Sequence, residues 1–374
     1  MISELHELYA KIQNKIDLAS TLEHQDHGGP THFEKMKTVV NELTQNLPST
    51  EQQRVANEFF GFGPLEHLIQ DEQITEILVN SYKDIHFEKK GQMQCFNDGF
   101  FSPITYRNCV HRILEKTNSV LSLEKPFCDV KYEDFRVSFV DESVSQNATM
   151  MTFRRHPKKK WTMDLLERNE WCDGLERRLL EKIIENKKNF LVVGPTGSGK
   201  TSVINALLDL TSQNERSLII EDTQEIQLPN TISLRLLTRE ETHLGLSAID
   251  QSELVKRALR LRPDRIVMGE IRYHEAKDFL MALSTGHMGS FGTLHAQDSH
   301  QALLRLEMLI QMGAPHWKLS AIRKLMSLSL EIIIVTKKTF EGKRKLEGIY
   351  NINSLEENGF LIEKLNPDQI REDF

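Results

Sequence analysis

The segment that most constrains this chain covers residues 189–210 and reads NFLVVGPTGSGKTSVINALLDL. It holds four consecutive apolar residues, a loop with glycines at 194, 197 and 199, and then apolar residues at helical spacing. A short apolar strand that passes through a glycine loop into a helix is typical of a sheet domain with alternating strands and helices. Glycine alone tolerates the backbone dihedrals that such a loop needs. The segment therefore predicts an α/β domain.

The loop matches the pattern G-x-x-x-x-G-K-[ST], and its place between strand and helix indicates a phosphate site. Backbone amides of the loop and the amino end of the helix attract an anion. Lys200 is expected to reach the β- and γ-phosphates, and the Thr201 hydroxyl is expected to bind Mg²⁺. The predicted binding residues are Gly194, Pro195, Thr196, Gly197, Ser198, Gly199, Lys200, Thr201 and Ser202. The sequence thus predicts a site for a nucleoside triphosphate, taken as ATP, with Mg²⁺.

The length of 374 residues favours two domains. From residue 163 to 374, strands alternate with helices, which predicts a parallel-rich sheet covered on both faces. Residues 58–155 predict a smaller α+β domain, and residues 1–57 a helical extension with an apolar stripe. The basic run RRHPKKK lies at the start of a predicted linker, residues 156–162. A nucleic-acid patch is the alternative, but no aromatic residues accompany these charges, which favours a solvated linker.

Composition argues against several classes of protein. The net charge of −7 does not indicate bulk attraction to nucleic acid or to an anionic bilayer. The four cysteines are widely spaced, so neither a zinc knuckle nor a disulfide framework is expected. The first residues lack a basic region followed by an apolar block, and the apolar runs are too short to span a bilayer. We therefore expect a cytoplasmic protein that reaches a membrane only through partners.

Hydrolysis of a triphosphate needs a carboxylate that orients water. Glu270 is the best candidate, because it ends the predicted strand RIVMG beside the glycine-loop strand, and it is also expected to contact Mg²⁺ through water. The alternative is a structural ion pair with Arg272. Gly269 stands where many P-loop enzymes carry a metal-binding aspartate, so Thr201 and water are expected to supply most of the Mg²⁺ ligands.

Two further polar clusters accompany predicted strands. Glu221 and Asp222 follow the apolar strand SLII, and Glu225 lies in the same loop; at least one is expected to contact metal or the attacking water, while the others hold the loop. His287 and His295 flank GSFGTL and are interpreted as sensors of the γ-phosphate. A zinc site lacks a third ligand at typical spacing, and structural histidines remain the other alternative.

Four segments together resemble a known family. PTGSGKT, IIEDTQEIQL, ALRLRPDRIVMGEIR and GHMGSFGTLHA resemble the Walker A, Asp, Walker B and His boxes of the type II/IV secretion-ATPase superfamily. FGPLEHLIQDEQITEILVN resembles the opening of the N-terminal domain in its Flp/Tad pilus, or CpaF-type, branch. The resemblance implies a homo-hexamer with a PAS-like N-terminal domain, a RecA-like C-terminal domain, and ATP held between the two.

The resemblance also implies that arginines of the N-terminal domain complete the site. Arg136 and Arg154 match those positions, and Arg155 is the neighbour of the second. Phe135 replaces the glycine that this branch usually has before the first arginine, so the loop that presents Arg136 departs from the family pattern. The segment LRLRPDR implies subunit contacts, or purely structural roles, for Arg260, Arg262 and Arg265.

These features predict a cytoplasmic ATPase ring that powers Flp/Tad-type pilus assembly or protein secretion through an inner-membrane platform. A type IV secretion traffic ATPase is one alternative. A DNA-translocating motor is another, although the acidic net charge makes nucleic acid an unexpected partner. The third is a nucleotide-gated scaffold with little turnover, because the altered segment before Arg136 could cost most of the rate.

Overall fold

The computed structural model describes residues 7–15, 32–145, 148–155, 160–239, 246–339, 341–356 and 359–369. The chain divides into two compact units, Met1–His156 and Pro157–Phe374. Within the described residues, each unit has its own sheet, with six strands in the first and eight in the second. The first four residues of the predicted linker, 156–159, lie outside the described residues.

The first unit begins with three helices: α1 (residues 7–15), α2 (His32–Thr44) and α3 (Ser49–Phe60). All three lie largely within residues 1–57, for which the sequence predicted a helical extension. Arg54 of α3 forms a buried ion pair with Glu58 and a second one with Asp98. Glu58 in turn accepts a hydrogen bond from the backbone N–H of Phe101. The helical extension is therefore fixed to the sheet part of the same unit, around a small core of Tyr9, Ile12, Val40, Val55 and Phe101.

An antiparallel sheet forms the body of the first unit. Its strands are β1 (Ile74–Val79), β2 (Ile85–Lys89), β3 (Gln92–Cys95), β4 (Phe127–Tyr132), β5 (Phe135–Val140) and β6 (Met150–Arg155), in the order β3-β2-β1-β6-β5-β4. Helix α4 (Glu66–Gln70) precedes β1, and α5 (Pro103–Lys116) packs its apolar face on one side of the sheet. The first and last strands, β1 and β6, are adjacent at the centre of this sheet. The unit contains both helices and an antiparallel sheet, the α+β composition that was predicted for a PAS-like domain.

The second unit carries the elements of the predicted α/β domain. Its helices are α6 (Met163–Arg168), α7 (Gly174–Glu185), α8 (Lys200–Asp209), α9 (Gln251–Ala258), α10 (Glu275–Ser284), α11 (Ser299–Gly313) and α12 (Leu319–Ser329). Its strands are β7 (Phe190–Val193), β8 (Ser217–Glu221), β9 (Leu234–Leu237), β10 (Arg265–Ile271), β11 (Phe291–Leu294), β12 (Ile332–Lys338), β13 (Arg344–Glu356) and β14 (Gly359–Lys364).

The sheet of the second unit has the order β14-β13-β12-β7-β11-β10-β8-β9. Strands β7 to β12 run parallel, and β13 and β14 extend one edge in antiparallel fashion. Leu191 and Val193 face a core built with α9 to α12, whereas Phe190 and Val192 face a core built with α6 to α8. Strand β7 is buried on both faces, which is why its sequence is continuously apolar. The predicted α/β fold is confirmed.

Arg265 has the structural role, one of the two roles that the sequence left open for it. It is only 2% exposed, and its guanidinium pairs with Glu215 at 2.6 Å. The same side chain donates to the carbonyl oxygens of Gly289 and Ile184 at 3.0 and 2.9 Å. It therefore stabilises the interior of its own chain and is not a subunit-contact residue. Arg260 and Arg262, by contrast, are exposed.

We expect Arg265→Ala to lower the free energy of unfolding of the second unit by about 3 kcal/mol, because two buried carbonyls lose their donor and the half-buried Glu215 keeps only Lys187 as its partner. All three tryptophans, at 161, 171 and 317, lie in this unit, so tryptophan fluorescence during urea unfolding of the full chain reports it. Arg260→Ala is the matched control and should stay within about 0.5 kcal/mol of the wild type. Equal midpoints for the two variants would contradict the buried role.

Candidate functional site

The glycine loop joins β7 to α8, and its three glycines are needed for two reasons, backbone conformation and lack of space. Gly197 and Gly199 have φ of +74° and +93°, in the left-handed region that side chains disfavour. Gly194 lacks space, because a Cβ there would lie 2.3 Å from the carbonyl oxygen of Thr336. Lys200 begins α8, so the amino end of that helix faces the loop. The backbone geometry is that of a phosphate-binding loop.

The side chains of the loop fit a magnesium-bound phosphate chain. Lys200 is buried, and its Nζ lies 3.0 and 3.1 Å from the carbonyl oxygens of Gly194 and Pro195, which places its charge inside the loop. Ser198 Oγ is buried and has no hydrogen-bond partner among the described residues. The Thr201 hydroxyl lies 3.5 Å from a carboxylate oxygen of Glu225. Hydroxyl and carboxylate oxygens are the ligands that Mg²⁺ prefers.

His295 connects Lys200 to Glu270. Its Nδ1 lies 3.2 Å from Lys200 Nζ, and its Nε2 lies 2.9 Å from Glu270 Oε1. Because a lysine ammonium only donates, His295 Nδ1 accepts a hydrogen bond from Lys200. His295 Nε2–H then donates to the Glu270 carboxylate. Burial, followed by the charge of Lys200, lowers the pKa of His295. The ring is therefore neutral near pH 7 and links the loop lysine to the carboxylate.

Glu270 is an ionised carboxylate beside the loop. Burial alone raises its pKa, but the hydrogen bond and charge of Arg272, with the charges of His295 and Lys200, lower the pKa overall. The ion pair with Arg272 that the sequence left open is present at 2.5 Å, and Arg272 also reaches Asp222 at 3.3 Å. The ion pair and a chemical role do not exclude each other, because Arg272 holds the carboxylate next to the P-loop lysine.

Glu221 accepts hydrogen bonds from the backbone of the loop that follows β8. It is 3% exposed, and one oxygen accepts from the N–H groups of Glu225 and Ile226 at 2.8 Å each. Its other oxygen pairs with Arg235 at 2.9 Å, while burial raises its pKa. A Cβ added at Gly269 would lie 3.0 Å from Glu221 Cγ. Glu221 therefore shapes the loop after β8.

His287 lies away from this cluster, which corrects the expectation that both histidines sense one phosphate. Strand β11 pairs with β7 in the register Phe291 to Phe190 and Leu294 to Val193. His295 follows the carboxyl end of β11, beside the glycine loop. His287 precedes the amino end, where its Nδ1 lies 3.1 Å from the carbonyl oxygen of Ala282. Strand β11 lies between the two histidines. His287 is therefore at the amino ends of the parallel strands, whereas the glycine loop is at their carboxyl ends.

The candidate arginines of the first unit differ in their contacts. Arg136 on β5 and Arg154 on β6 are directly opposite each other in the strand register. Arg136 donates to Asp129 at 2.7 Å, and Arg154 is exposed. Two cations at opposed strand positions repel each other unless an anion lies between them. The two arginines, called the cationic patch below, lie on the sheet face opposite α5, with Asp129 paired to Arg136 and Glu76 opposite Arg154 in the strand register.

The described contacts of Arg155 are with residues of the first unit. Its guanidinium donates to the carbonyl oxygens of Ile74, Ile69 and Asp71 at 2.7, 2.6 and 3.0 Å. It also lies 4.2 Å above the ring of Phe135, which is 1% exposed. The phenylalanine that replaces the family's glycine is thus a core residue under Arg155, and Arg136 keeps a regular strand position beside it.

The sequence did not indicate three further residues at the loop. Thr336 Oγ1 on β12 donates to Ser198 O at 3.0 Å and accepts from Trp171 Nε1 at 3.0 Å. Arg344, the first residue of β13, donates from Nε to Gly197 O at 3.1 Å. These contacts join positions 138, 165 and 147 residues apart, so no local spacing signals them.

A cleft of about 390 Å³ opens beside the first turn of α8. Its walls are the segment around α6, the glycine loop with α8, and the turn between β12 and β13. The lining includes Trp161, Asn169, Gly199, Ser202 and Arg344. An aromatic ring, an amide and a cation next to a phosphate loop suit the nucleoside end of a nucleotide.

A RecA-like sheet with a glycine loop after a central strand, a buried loop lysine and an adjacent carboxylate defines a P-loop ATPase. Residues 127–346, which are 220 of the 374, match the family described as type II/IV secretion system protein. The chain belongs to this family and is an ATPase. The predicted superfamily is confirmed; the CpaF-type branch stays a prediction.

Individual proteins agree with this assignment. The putative conjugal transfer protein Rv3659c of Mycobacterium tuberculosis is 27% identical over 299 residues, 78% of this chain and 84% of that one. The type IV secretion system protein PtlH of Bordetella pertussis is 36% identical over 180 residues, 47% of this chain and 53% of that one.

Solved structures share the fold. The Legionella pneumophila ATPase DotB has a TM-score of 0.57 at 17% identity, over 79% of this chain and 80% of that one. The pilus retraction motor PilT with bound ADP has a TM-score of 0.55 at 20% identity, over 77% and 81%. Within the described part of the chain, the helices are too short or too polar to cross a membrane.

Proposed function

We propose that this chain is the motor ATPase of a pilus or secretion machine, in which ATP hydrolysis by a homo-hexamer moves pilin or secreted protein through an inner-membrane platform. Flp/Tad-type pilus assembly is the favoured system. The observation that carries the proposal is the line of contacts from Lys200 through His295 to Glu270. It supports the proposal because it brings together, at one loop, a cation that would bind the phosphates and an ionised carboxylate that would orient the attacking water.

The residues divide the chemical roles. Lys200 and the loop amides would bind the β- and γ-phosphates, while Thr201 would bind Mg²⁺. Glu270 would orient water, with a water-mediated contact to the metal. As the family resemblance implies, Arg136 and Arg154 would supply positive charge to the developing phosphate oxygens. The protein would work in the cytoplasm, at the inner membrane through its platform partner.

A type IV secretion traffic ATPase is the second candidate. The 36% identity to PtlH, named as a type IV secretion system protein, favours it. Both candidates predict turnover without nucleic acid. Steady-state phosphate release by the full chain, with and without single-stranded DNA, tests this. Release that depends on DNA and falls steeply with salt would favour a DNA motor, and no measurable release would favour a nucleotide-gated scaffold.

We expect Lys200→Ala to weaken ATP binding by about 100-fold, because a buried charge-assisted contact to phosphate is lost. Binding of a fluorescent ATP analogue at equilibrium measures the change. Lys188→Ala removes a lysine at the amino end of β7 that pairs with Glu331, and it serves as the matched control with unchanged affinity. Equal affinities of the two variants would overturn the assignment of the loop.

A further inference from the structure

The hairpin of β12 and β13 brings Arg344 onto the glycine loop. The guanidinium Nε donates to Gly197 O at 3.1 Å, and the side-chain Cδ lies 2.9 Å from where a Cβ of Gly199 would stand. Strand pairing sets Arg344 opposite Lys338, at the carboxyl end of β12. The arginine therefore lies at the same edge of the sheet as the loop that follows β7.

The root of the hairpin is fixed against the same loop. Thr336 is fully buried and holds the carbonyl of Ser198, while Trp171 holds Thr336. The carbonyl oxygen of Thr336 fills the space that a side chain at Gly194 would need. The position of Arg344 over the loop thus follows from buried contacts on the adjoining strand.

The charge of Arg344 is available to a ligand. Its neighbour Lys343 pairs with Glu170 at 2.9 Å, which raises the pKa of that lysine. Among the described residues, no carboxylate forms an ion pair with Arg344, and its one described hydrogen bond uses Nε. The two terminal nitrogens of a guanidinium form the planar fork that binds phosphate oxygens.

The strand order gives the direction of the nucleotide. Part of the strand order in the sheet is β13-β12-β7-β11-β10. The residues proposed for γ-phosphate chemistry, His295 and Glu270, lie on the β11 and β10 side of the glycine loop. Arg344 lies on the other side, where the cleft next to Ser202 opens. A nucleotide in the loop would therefore turn its nucleoside end toward Arg344.

We propose that Arg344 is a nucleotide-binding residue that contacts the phosphate next to the ribose, in the part that ATP and ADP share. This inference rests on the proposed function and deepens it. It separates two classes of arginine. Arg344 would set the affinity for either nucleotide, whereas Arg136 and Arg154 would act on the transferred phosphate.

The test measures ATP and ADP binding by the full chain for wild type, Arg344→Ala, Arg344→Gln and Arg344→Lys. We expect Arg344→Ala to lose about 10- to 100-fold in affinity for both nucleotides, the effect of one charge-assisted phosphate contact. Glutamine can still donate to Gly197 O but has no charge, so it should not restore binding. Lysine keeps the charge without the fork and should restore part of it.

Lys337→Ala is the matched control, since it removes a lysine of the same hairpin that pairs with Glu347. Unchanged ADP affinity in Arg344→Ala would overturn this proposal alone, as would a loss for ATP only. Full rescue by glutamine would show that Arg344 merely braces Gly197, which also overturns it. A wild-type chain that binds neither nucleotide would overturn the proposed function as well.

Discussion

We expect Glu270→Gln to leave ATP bound and to lower steady-state phosphate release by about a thousandfold, within the usual range for loss of a group that handles the proton of attacking water. Glutamine preserves the shape and still accepts a hydrogen bond from His295. It loses the negative charge that orients water. In free-energy terms the expected loss corresponds to about 4 kcal/mol of barrier. Phosphate release and equilibrium ATP binding, measured on the same preparation, separate chemistry from affinity.

The ion pair with Arg272 makes a second variant necessary. If Glu270 served only to hold Arg272, then Arg272→Ala would reduce turnover as much as Glu270→Gln does. We expect a smaller reduction for Arg272→Ala, because Arg272 only holds the Glu270 carboxylate in position. Glu253→Gln, an exposed glutamate paired with Arg257, controls for loss of surface charge. Wild-type turnover in Glu270→Gln would remove the carboxylate from the mechanism.

The second large effect is expected from the first unit. Arg136→Ala and Arg154→Ala should each lower turnover by about a thousandfold with less than about tenfold change in ATP affinity, as for arginines that act mainly on transition-state charge. The strand register sets the two side chains side by side, so both can reach one anion. Phosphate release by each single variant and by the double variant measures this.

Two controls accompany these arginine variants. Arg107→Ala removes an exposed arginine of the same unit and should leave turnover unchanged. Arg155→Ala should instead lower thermal stability, because Arg155 binds three backbone carbonyls and the ring of Phe135. If Arg136→Ala and Arg154→Ala both hydrolyse ATP at the wild-type rate, then the cationic patch has no part in the reaction.

The sequence predicted the elements whose pattern is local. Strand β7 is an unbroken apolar run, and the helix after the glycine loop shows its own periodicity. Strand β4 was not predicted, although buried Cys128, Val130 and Tyr132 alternate with more polar residues. Its stability comes from pairing with β5, and pairing is not visible in a short window. The same reason applies to β14, which pairs only with β13 at the sheet edge.

The site could be predicted where each residue follows a buried strand. Lys200, Glu270 and His295 lie at the carboxyl ends of adjacent parallel strands, and the structure brings them into contact. His287 shares a motif with His295, yet the strand between them carries the two to opposite edges of the sheet. Thr336 and Arg344 contact the loop only because β12 is the neighbour of β7, and that strand order is set by the whole fold.

The close approach of Gly269 to Glu221 has an evolutionary consequence. A side chain at 269 would lie 3.0 Å from Glu221 Cγ, so the buried glutamate that supports the loop after β8 would have to shift by a few tenths of an ångström. Homologues with an aspartate at the equivalent of 269 should therefore carry a shorter residue at the equivalent of 221. The two sites are expected to co-vary, and lineages would pass between the two arrangements by paired substitution.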